Sequence, residues 1–146
     1  MFTNIKEIKN IFTKWWSPEK FRQHPIRAEI LIVEDDKEQA ELLQQLFTLQ
    51  DTKADVVYNI QDALTKLDEI TYHIVIIDLK LSGTHYDGLV LLKKIKESKR
   101  MTHPVVCSGY YTAEIFNYGY VGILPKPFSF HSIREILVKH RLHRSD

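Results

Sequence analysis

An unbroken apolar run that ends in an acid, Tyr72–Asp78, constrains the fold more than any other stretch of the sequence. Its residues are mostly β-branched, and a strand without polar alternation is typical of a parallel sheet covered on both faces. Open parallel sheets bind their ligands at the carboxyl ends of the strands. The run therefore predicts that Asp78 lies at such an edge, followed by a loop over residues 79–88.

Further strand-like runs alternate with amphipathic helical patterns along the chain. This alternation, with right-handed crossovers, predicts a flavodoxin-like α/β fold, a doubly wound sheet of five parallel strands. We expect the strand order 2-1-3-4-5, in which strands 1 and 3 are neighbours where the winding reverses. Glu34 and Asp35, which end strand 1, then meet Asp78 in one crevice. The predicted strands are 30–33, 54–58, 72–78, 104–108 and 121–124.

Polar residues mark where the predicted helices begin. Asp36 precedes the first helix and, with Gln39 three places on, resembles an N-terminal capping pair. Asn59 is the predicted N-cap of the second helix, and Ser129 or Ser132 that of the last. The tyrosine-rich stretch between strands 4 and 5 has room for only a brief helix. The first helix is expected to bury Leu42, Leu43, Leu46 and Phe47, and the third to bury Leu89, Leu92 and Ile95.

Residues 1–27 are predicted to be a separate segment, an amphipathic helix with a linker, ahead of a domain at 28–146. The helix has an apolar stripe too large to remain hydrated, so it must pack on a surface. A membrane is disfavoured because Asn4, Glu7 and Asn10 dilute the lysines of the polar face. Packing on the chain's own domain or on a target protein stays open, but the long linker favours dimerisation through this helix. The stripe consists of Phe2, Ile5, Ile8, Phe12 and Trp15 or Trp16.

The charge distribution and the single cysteine exclude several classes of protein. Both ends of the chain are basic and the centre is acidic, which argues against a nucleic-acid-binding core. Cys107 is the only cysteine of the sequence, so the chain cannot form an internal disulfide. With neither a membrane-spanning apolar run nor a signal-peptide pattern, we expect a cytoplasmic protein.

The converging carboxylates predict a cation-binding site. Glu34, Asp35 and Asp78 would repel one another unless a proton, a lysine or a hard cation lies among them. Oxygen ligands supplemented by water suit Mg²⁺ or Mn²⁺. Lys126 and Ser108, at the ends of strands five and four, would add an ammonium and a hydroxyl. Such a site can hold a phosphoryl group, with Asp78 as the attacking acid.

Several motifs, in order and on the expected elements, resemble those of the response-regulator receiver domains of two-component signalling. The resemblance extends over residues 28–141. The motifs are Ile30–Asp36, similar to the acidic cluster of strand 1; Val75–Leu79, similar to the phosphoacceptor strand; Asp87–Gly88, similar to the start of the third helix; Ser108–Gly109, at the switch serine or threonine; and Lys126–Phe128, at the invariant lysine and its usually cis proline.

The resemblance implies a signalling protein rather than a conventional enzyme. Asp78 would accept a phosphoryl group from a phosphohistidine on a sensor histidine kinase or a histidine phosphotransfer protein, and the domain would then signal to a downstream protein target. Asp35 would bind Mg²⁺ directly and Glu34 through water, with the Lys80 main-chain carbonyl as a further ligand. The groups that would hold the phosphoryl oxygens are Lys126, Ser108 and the Gly109 N–H.

Three departures from the family pattern keep a second function open. Ile123 stands where the family often has a switch tyrosine or phenylalanine, although Tyr118 or Tyr120 could substitute. The interval from Ser108 to Lys126 is short, and the loop after strand 3 is long. The alternative is a phosphorylation-independent interaction module that keeps the fold. A metal-dependent phosphohydrolase is disfavoured because no separate general base is apparent.

Overall fold

The computed structural model describes residues 29–79, 85–98, 102–108 and 122–144, which form a three-layer α/β fold. The strands are β1 (Ile30–Val33), β2 (Ala54–Val57), β3 (Ile74–Asp78), β4 (His103–Ser108) and β5 (Gly122–Pro125), and the helices are α1 (Lys37–Thr48), α2 (Ile60–Glu69), α3 (His85–Glu97) and α4 (Phe130–Arg144). All the strand pairs are parallel, and the order is β2-β1-β3-β4-β5. The predicted fold class and strand order are therefore confirmed.

Two apolar cores lie on the two faces of the sheet, because successive residues of a strand point to opposite sides. One core packs the sheet against α1 and α4, and the other packs it against α2 and α3. In β3, for example, Ile76 belongs to the first core and Ile77 to the second. Every residue of β3 is buried. Covering both faces explains why this strand shows no alternation of polar residues in the sequence.

The strand β3 begins two residues later than the apolar run predicted, because the preceding residues make other contacts. Tyr72 is buried outside the strand, and its hydroxyl donates a hydrogen bond of 2.6 Å to Asp55 Oδ2 on β2. His73 Nδ1 accepts a hydrogen bond of 2.9 Å from the Glu29 N–H. Tyr72 thus ties the start of β3 to β2, across the intervening strand β1.

The other strand ends differ slightly from the prediction because hydrogen bonds, rather than side-chain pattern, define them. Tyr58 lies outside β2 and is exposed. The strand β4 begins one residue earlier, at His103, whose N–H donates to the His73 carbonyl at 2.8 Å. The strand β5 extends to Pro125, which lies opposite Ser108.

The N-terminus of α1 has the predicted cap, with one difference. Asp36 Oδ1 accepts hydrogen bonds from the N–H groups of Glu38 (3.0 Å) and Gln39 (3.3 Å). The N–H of Asp36 donates to Glu34 Oε1 (3.2 Å) and not to the Gln39 side chain. The first turn of α1 is therefore bonded directly to a carboxylate at the end of β1.

The remaining helix caps are also found. Asn59 caps α2 by accepting the N–H of Asp62 at 2.8 Å. Of the two serines considered for α4, Ser129 is the cap, because its hydroxyl accepts the N–H of Ser132 at 3.1 Å. Local side-chain chemistry thus marks both helix starts as the sequence predicts.

The exposed fraction of Leu42 is 40%, which contradicts its predicted place in the core. Leu43, Leu46 and Phe47 are buried, as predicted. Adjacent residues of a helix lie about 100° apart around its axis. Since the sheet and α4 cover only one side of α1, the side chain of Leu42 falls just beyond the covered face.

The helix α3 begins at His85, inside the stretch that was predicted to be a loop. Gly88 explains how the helix fits there. A Cβ atom at this position would lie 2.8 Å from Leu79 Cα and 3.1 Å from the Asp78 carbonyl oxygen, both too close. The absence of a side chain therefore lets the first turn of α3 lie against the end of β3.

Two predicted elements lie outside the described residues, namely the N-terminal helix within residues 1–27 and the brief helix between β4 and β5. Within the described ranges, none of the helices is both long enough and apolar enough to cross a membrane.

Replacing Tyr72 with phenylalanine should lower the free energy of unfolding, because it removes the hydroxyl that donates to the Asp55 carboxylate. A hydrogen bond to a charged group contributes about 1.5–3 kcal/mol, so we expect a loss of this size in urea unfolding followed by circular dichroism. The matched control is Tyr58→Phe, at an exposed ring, which should change stability by less than about 0.5 kcal/mol. Equal losses in the two variants would contradict a specific role for the Tyr72–Asp55 bond.

Candidate functional site

The ends of β1 and β3 bring the predicted carboxylates together. These strands are neighbours in a parallel register, with Val33 opposite Ile77. Glu34 therefore lies level with Asp78, and Asp35 follows at the same edge of the sheet. One oxygen from each of the three carboxylates lies within 4.8 Å of the others. This is the convergence that the strand order predicted.

The three carboxylates differ in their exposure to solvent. Glu34 is 2% exposed and Asp78 is 6% exposed, whereas Asp35 is an exposed residue. Glu34 Oε1 accepts the hydrogen bond from the Asp36 N–H, while Glu34 Oε2 is buried and has no hydrogen-bond partner in the described part of the chain. Glu34 is thus a buried carboxylate, Asp78 is nearly buried at the end of β3, and Asp35 is in contact with water.

Lys126 places a positive charge beside the two buried carboxylates. It directly follows β5, and its Nζ lies 3.6 Å from both Glu34 Oε2 and Asp78 Oδ2. These distances are those of ion pairs rather than of hydrogen bonds. The next peptide bond, Lys126–Pro127, is cis. The Lys126 side chain is 22% exposed, so it can contact a group arriving from solvent while it stays near the carboxylates.

Burial and repulsion make Glu34 difficult to ionise. Burial of the carboxyl group and the charge of Asp78 raise the pKa of Glu34 to about 7, although Lys126 and the Asp36 N–H act in the opposite direction. Burial by itself would lower the pKa of Lys126, but the charges of Glu34 and Asp78 outweigh it, so that this pKa is raised. Lys126 therefore stays an ammonium, and it faces more negative charge than it can balance.

The donor atoms of this cluster fit a hard divalent cation. Carboxylates supply only oxygen ligands, which Mg²⁺ and Mn²⁺ prefer in proteins. The buried Glu34 Oε2 lacks a hydrogen bond within the described residues, and such an atom is costly unless a cation or water satisfies it. A divalent cation would relieve both this cost and the excess of negative charge.

The other predicted site residues are described only in part. Ser108 ends β4, the strand next to β3, but the position of its hydroxyl lies outside the described part of the chain. Gly109 and Lys80 also lie outside the described residues. The role of Gly88, whose missing side chain lets α3 lie against the Asp78 main chain, was not predicted from the sequence. A glycine close to a predicted helix start was the signal that could have indicated it.

The fold and the site together define a flavodoxin-like α/β protein with a lysine-paired carboxylate cluster at the switch point of its sheet. The sequence profile of the response regulator receiver domain matches residues 30–138. The chain therefore belongs to the response regulator receiver family of two-component signalling, and it is a signalling module rather than a conventional enzyme.

Solved receiver domains are similar to this chain over most of its length. The CheY-like receiver domain from Methylobacillus flagellatus is 29% identical, with 78% of this chain and 98% of that chain covered and a TM-score of 0.70. The signal receiver domain of the DNA-binding response regulator merR from Colwellia psychrerythraea 34H is 27% identical, with coverages of 77% and 96% and a TM-score of 0.66. The BeF3-activated DrrB receiver domain, at 20% identity, shares the fold with a TM-score of 0.66 and coverages of 78% and 97%. None of the curated proteins compared with the chain matches it.

Replacing Glu34 with glutamine should stabilise the metal-free protein at alkaline pH. Glutamine keeps an oxygen for the Asp36 N–H and removes a carboxylate that is costly to bury. Because the pKa of Glu34 is raised from 4.5 to about 7, the folded protein holds a proton that the unfolded chain has released. The stabilising effect of this proton is complete below pH 4.5 and is lost as the pH rises through 7.

The gap in stability between Glu34→Gln and the unsubstituted protein should therefore widen with rising pH, to on the order of 1–3 kcal/mol. Thermal unfolding with a chelator, across a pH series, measures this gap. Glu41→Gln, at an exposed glutamate of α1, is the matched control and should show no such widening. A gap for Glu34→Gln that does not change with pH would contradict the raised pKa.

Proposed function

We propose that the protein is a phosphoacceptor receiver, in which Asp78 accepts a phosphoryl group from a phosphohistidine of a sensor kinase or phosphotransfer protein in the presence of Mg²⁺. The observation that carries this proposal is the position of Asp78. Its carboxylate lies at the carboxyl edge of the sheet, 3.6 Å from Lys126 Nζ and within 4.8 Å of oxygens of both Glu34 and Asp35. Membership of the receiver family supports the same role.

Asp78 is the nucleophile of the proposed transfer. One of its oxygens forms a bond to phosphorus on the side opposite the P–N bond. The P–N bond breaks, and its electron pair stays with the imidazole nitrogen of the donor. During transfer, negative charge lies on the equatorial phosphoryl oxygens. The surrounding groups must therefore balance this negative charge and hold the phosphorus in line with the attacking oxygen.

Lys126 is placed to balance part of this charge. Its ammonium already lies near Asp78 Oδ2, so an oxygen of a phosphoryl group on that atom comes within its reach. Mg²⁺ held by Glu34, Asp35 and Asp78 would supply a second positive charge to the same group. We assign the remaining contacts to Ser108 and the Gly109 N–H, as donors to phosphoryl oxygens, and to the Lys80 carbonyl, as a further metal ligand.

Phosphorylation would also change the charge balance around Lys126. Phosphorylation replaces the single negative charge of the Asp78 carboxylate with close to two negative charges on the phosphoryl oxygens at neutral pH, beside a lysine that pairs with two carboxylates. Lys126 would then contact the new oxygens and weaken its pairing with Glu34. The strands β4 and β5 end at this edge of the sheet, and we propose that the segments that follow them carry the signal to a protein target.

Asp78→Asn should abolish phosphorylation by a small acyl phosphate with Mg²⁺, because an amide is not a nucleophile for phosphorus. Asp35→Asn should raise the Mg²⁺ concentration required by at least about tenfold, because it removes a charged ligand. Mass spectrometry of the intact protein measures the added phosphoryl group. Asp51→Asn is the matched control, since this residue has a positive φ of 54°, which asparagine also adopts readily.

Asp51→Asn should be phosphorylated to the same extent as the unsubstituted protein. Persistent phosphorylation of Asp78→Asn would show that another residue is the acceptor. An unsubstituted protein that takes up no phosphoryl group, although it binds Mg²⁺, would favour the second candidate function below.

A phosphorylation-independent interaction module is the second candidate, and Ile123 is the observation that favours it. Ile123 is half-buried and packs against the core beneath α2 and α3. It has neither a hydroxyl nor a flat ring, so it cannot report a phosphoryl group by swinging between two packings. In either candidate, the domain acts through protein contacts rather than by turnover of a substrate.

Because Ile123 cannot act as an aromatic switch, conformational change should pass through residues 109–120. Hydrogen exchange with and without Mg²⁺ and a beryllofluoride phosphoryl analogue should therefore change most in this segment. Asp78→Asn is the control and should show no change when the analogue is added. Changes restricted to residues 79–88 would contradict this route.

A further inference from the structure

A cavity opens at the edge of the sheet opposite Asp78, between the C-terminal ends of α2 and α3. Its volume is about 340 Å³. In a parallel sheet the helices run antiparallel to the strands, so helix C-termini lie at the amino edge. The apolar wall is formed by Leu64, Leu67, Ile70 and Ile95, and the acidic residues Asp68 and Glu97 line the exposed rim. We call this feature the edge cavity.

The chain enters the described fold beside the edge cavity. The Glu29 carbonyl accepts hydrogen bonds from the N–H groups of His73 (2.9 Å) and Ile74 (3.3 Å) at the amino end of β3. On the far side of β3, the Thr102 hydroxyl donates to the Tyr72 carbonyl at 2.8 Å, and Thr102 lines the cavity. Thr102 on the cavity wall is thus about two strand spacings, or roughly 10 Å, from the point where residues 1–28 join the fold.

We propose that the segment of residues 1–27 docks on the edge cavity of its own chain through Trp15 or Trp16. The sequence gives this segment a stripe of large apolar residues that needs a surface. The structure offers such a surface at the sheet edge from which the segment departs.

The chemistry of the edge cavity suits an indole ring. A cavity of about 150 Å³ holds a benzene ring, so the larger edge cavity has room for a bicyclic side chain. Its aliphatic wall would contact the ring faces, and the carboxylates of Asp68 and Glu97 are acceptors for an indole N–H. Lys94 also lines the cavity and can pack its cation against the aromatic face.

The connection to the fold favours the chain's own segment over that of a second copy. Residues 17–28 would span up to roughly 40 Å when extended, which far exceeds the distance to the cavity. A short tether also holds the segment at an effective concentration of millimolar order, well above the usual concentration of a second copy. The dimerisation expected from the linker length alone is therefore the competing outcome of the test.

Tryptophan fluorescence tests this proposal directly, because Trp15 and Trp16 are the two tryptophans of the chain. A nitroxide label, which quenches fluorescence at short range, is attached to Glu69→Cys of the full-length protein, an exposed position that adjoins the cavity residues Asp68 and Ile70 without lining the cavity itself. The control is the same label on Glu41→Cys, an exposed glutamate of α1 on the opposite face of the sheet. Cys107 is 1% exposed and should not react, so each variant carries one label.

We expect the label at position 69 to remove most of the tryptophan emission and the label at position 41 to remove little. The difference should persist on dilution, because the contact lies within one chain. Trp15→Phe and Trp16→Phe, made singly in the labelled Glu69→Cys protein, then identify which ring is quenched. Equal quenching from both positions, or none from either, would refute docking at the edge cavity. Quenching that disappears on dilution would assign the contact to a second copy and would also refute the proposal.

A second variant tests the apolar wall. Leu67→Glu should shift the tryptophan emission of the unlabelled protein to longer wavelength, toward that of the isolated peptide 1–27. Leu42→Glu, at the exposed leucine of α1, should leave the emission unchanged. Circular dichroism shows whether each variant is folded. A folded Leu67→Glu protein whose emission is unchanged would refute the proposal.

Discussion

The pairing of one lysine with two buried carboxylates is the interaction on which the functional edge of this protein depends. Lys126 Nζ lies equally close to Glu34 and Asp78, which come from β1 and β3, while the lysine follows β5. Without its ammonium, two carboxylates that are at most 6% exposed would repel each other where water cannot screen them. The pairing is incomplete, because one ammonium serves two buried carboxyl groups with a third at the same edge, and the pKa of Glu34 remains raised to about 7. This remaining negative charge suits the edge to a metal cation.

The parallel sheet brings residues that are distant in the sequence together at this edge. Register alone brings Glu34 level with Asp78. Glu34 directly follows β1, Asp78 ends β3, and the residues of these two strands lie opposite one another. The helix α1 is joined to the same cluster through the bond from the Asp36 N–H to Glu34 Oε1. Gly88 brings α3 against the main chain of Asp78. Asp78 is therefore connected to a helix on each face of the sheet, to α3 directly and to α1 through Glu34.

The two edges of the sheet have different chemistry. The carboxyl edge concentrates charge around Lys126, whereas the amino edge is held by hydrogen bonds such as Tyr72 to Asp55 and contains the largely apolar edge cavity. This separation would allow the N-terminal segment to pack at one edge without obstructing the carboxylate cluster at the other. It also means that the segment, if docked, would contact the ends of α2 and α3, the helices that cover the core containing Ile123.

The sequence by itself determined the fold class, the strand order, the helix caps at Asp36 and Asn59, and the convergence of Glu34, Asp35 and Asp78. The fold class and the caps follow from local periodicity and local hydrogen bonding. The convergence follows from the strand order expected of a doubly wound sheet and from the rule that parallel strands end at a common edge. Only the tertiary structure decided that Leu42 is exposed, that α3 begins at His85, and that Tyr72 leaves β3 to bond Asp55. It also decided that the pKa of Glu34 is raised. Each of these depends on which atoms from distant parts of the chain cover a given side chain, and a one-dimensional pattern does not contain that information.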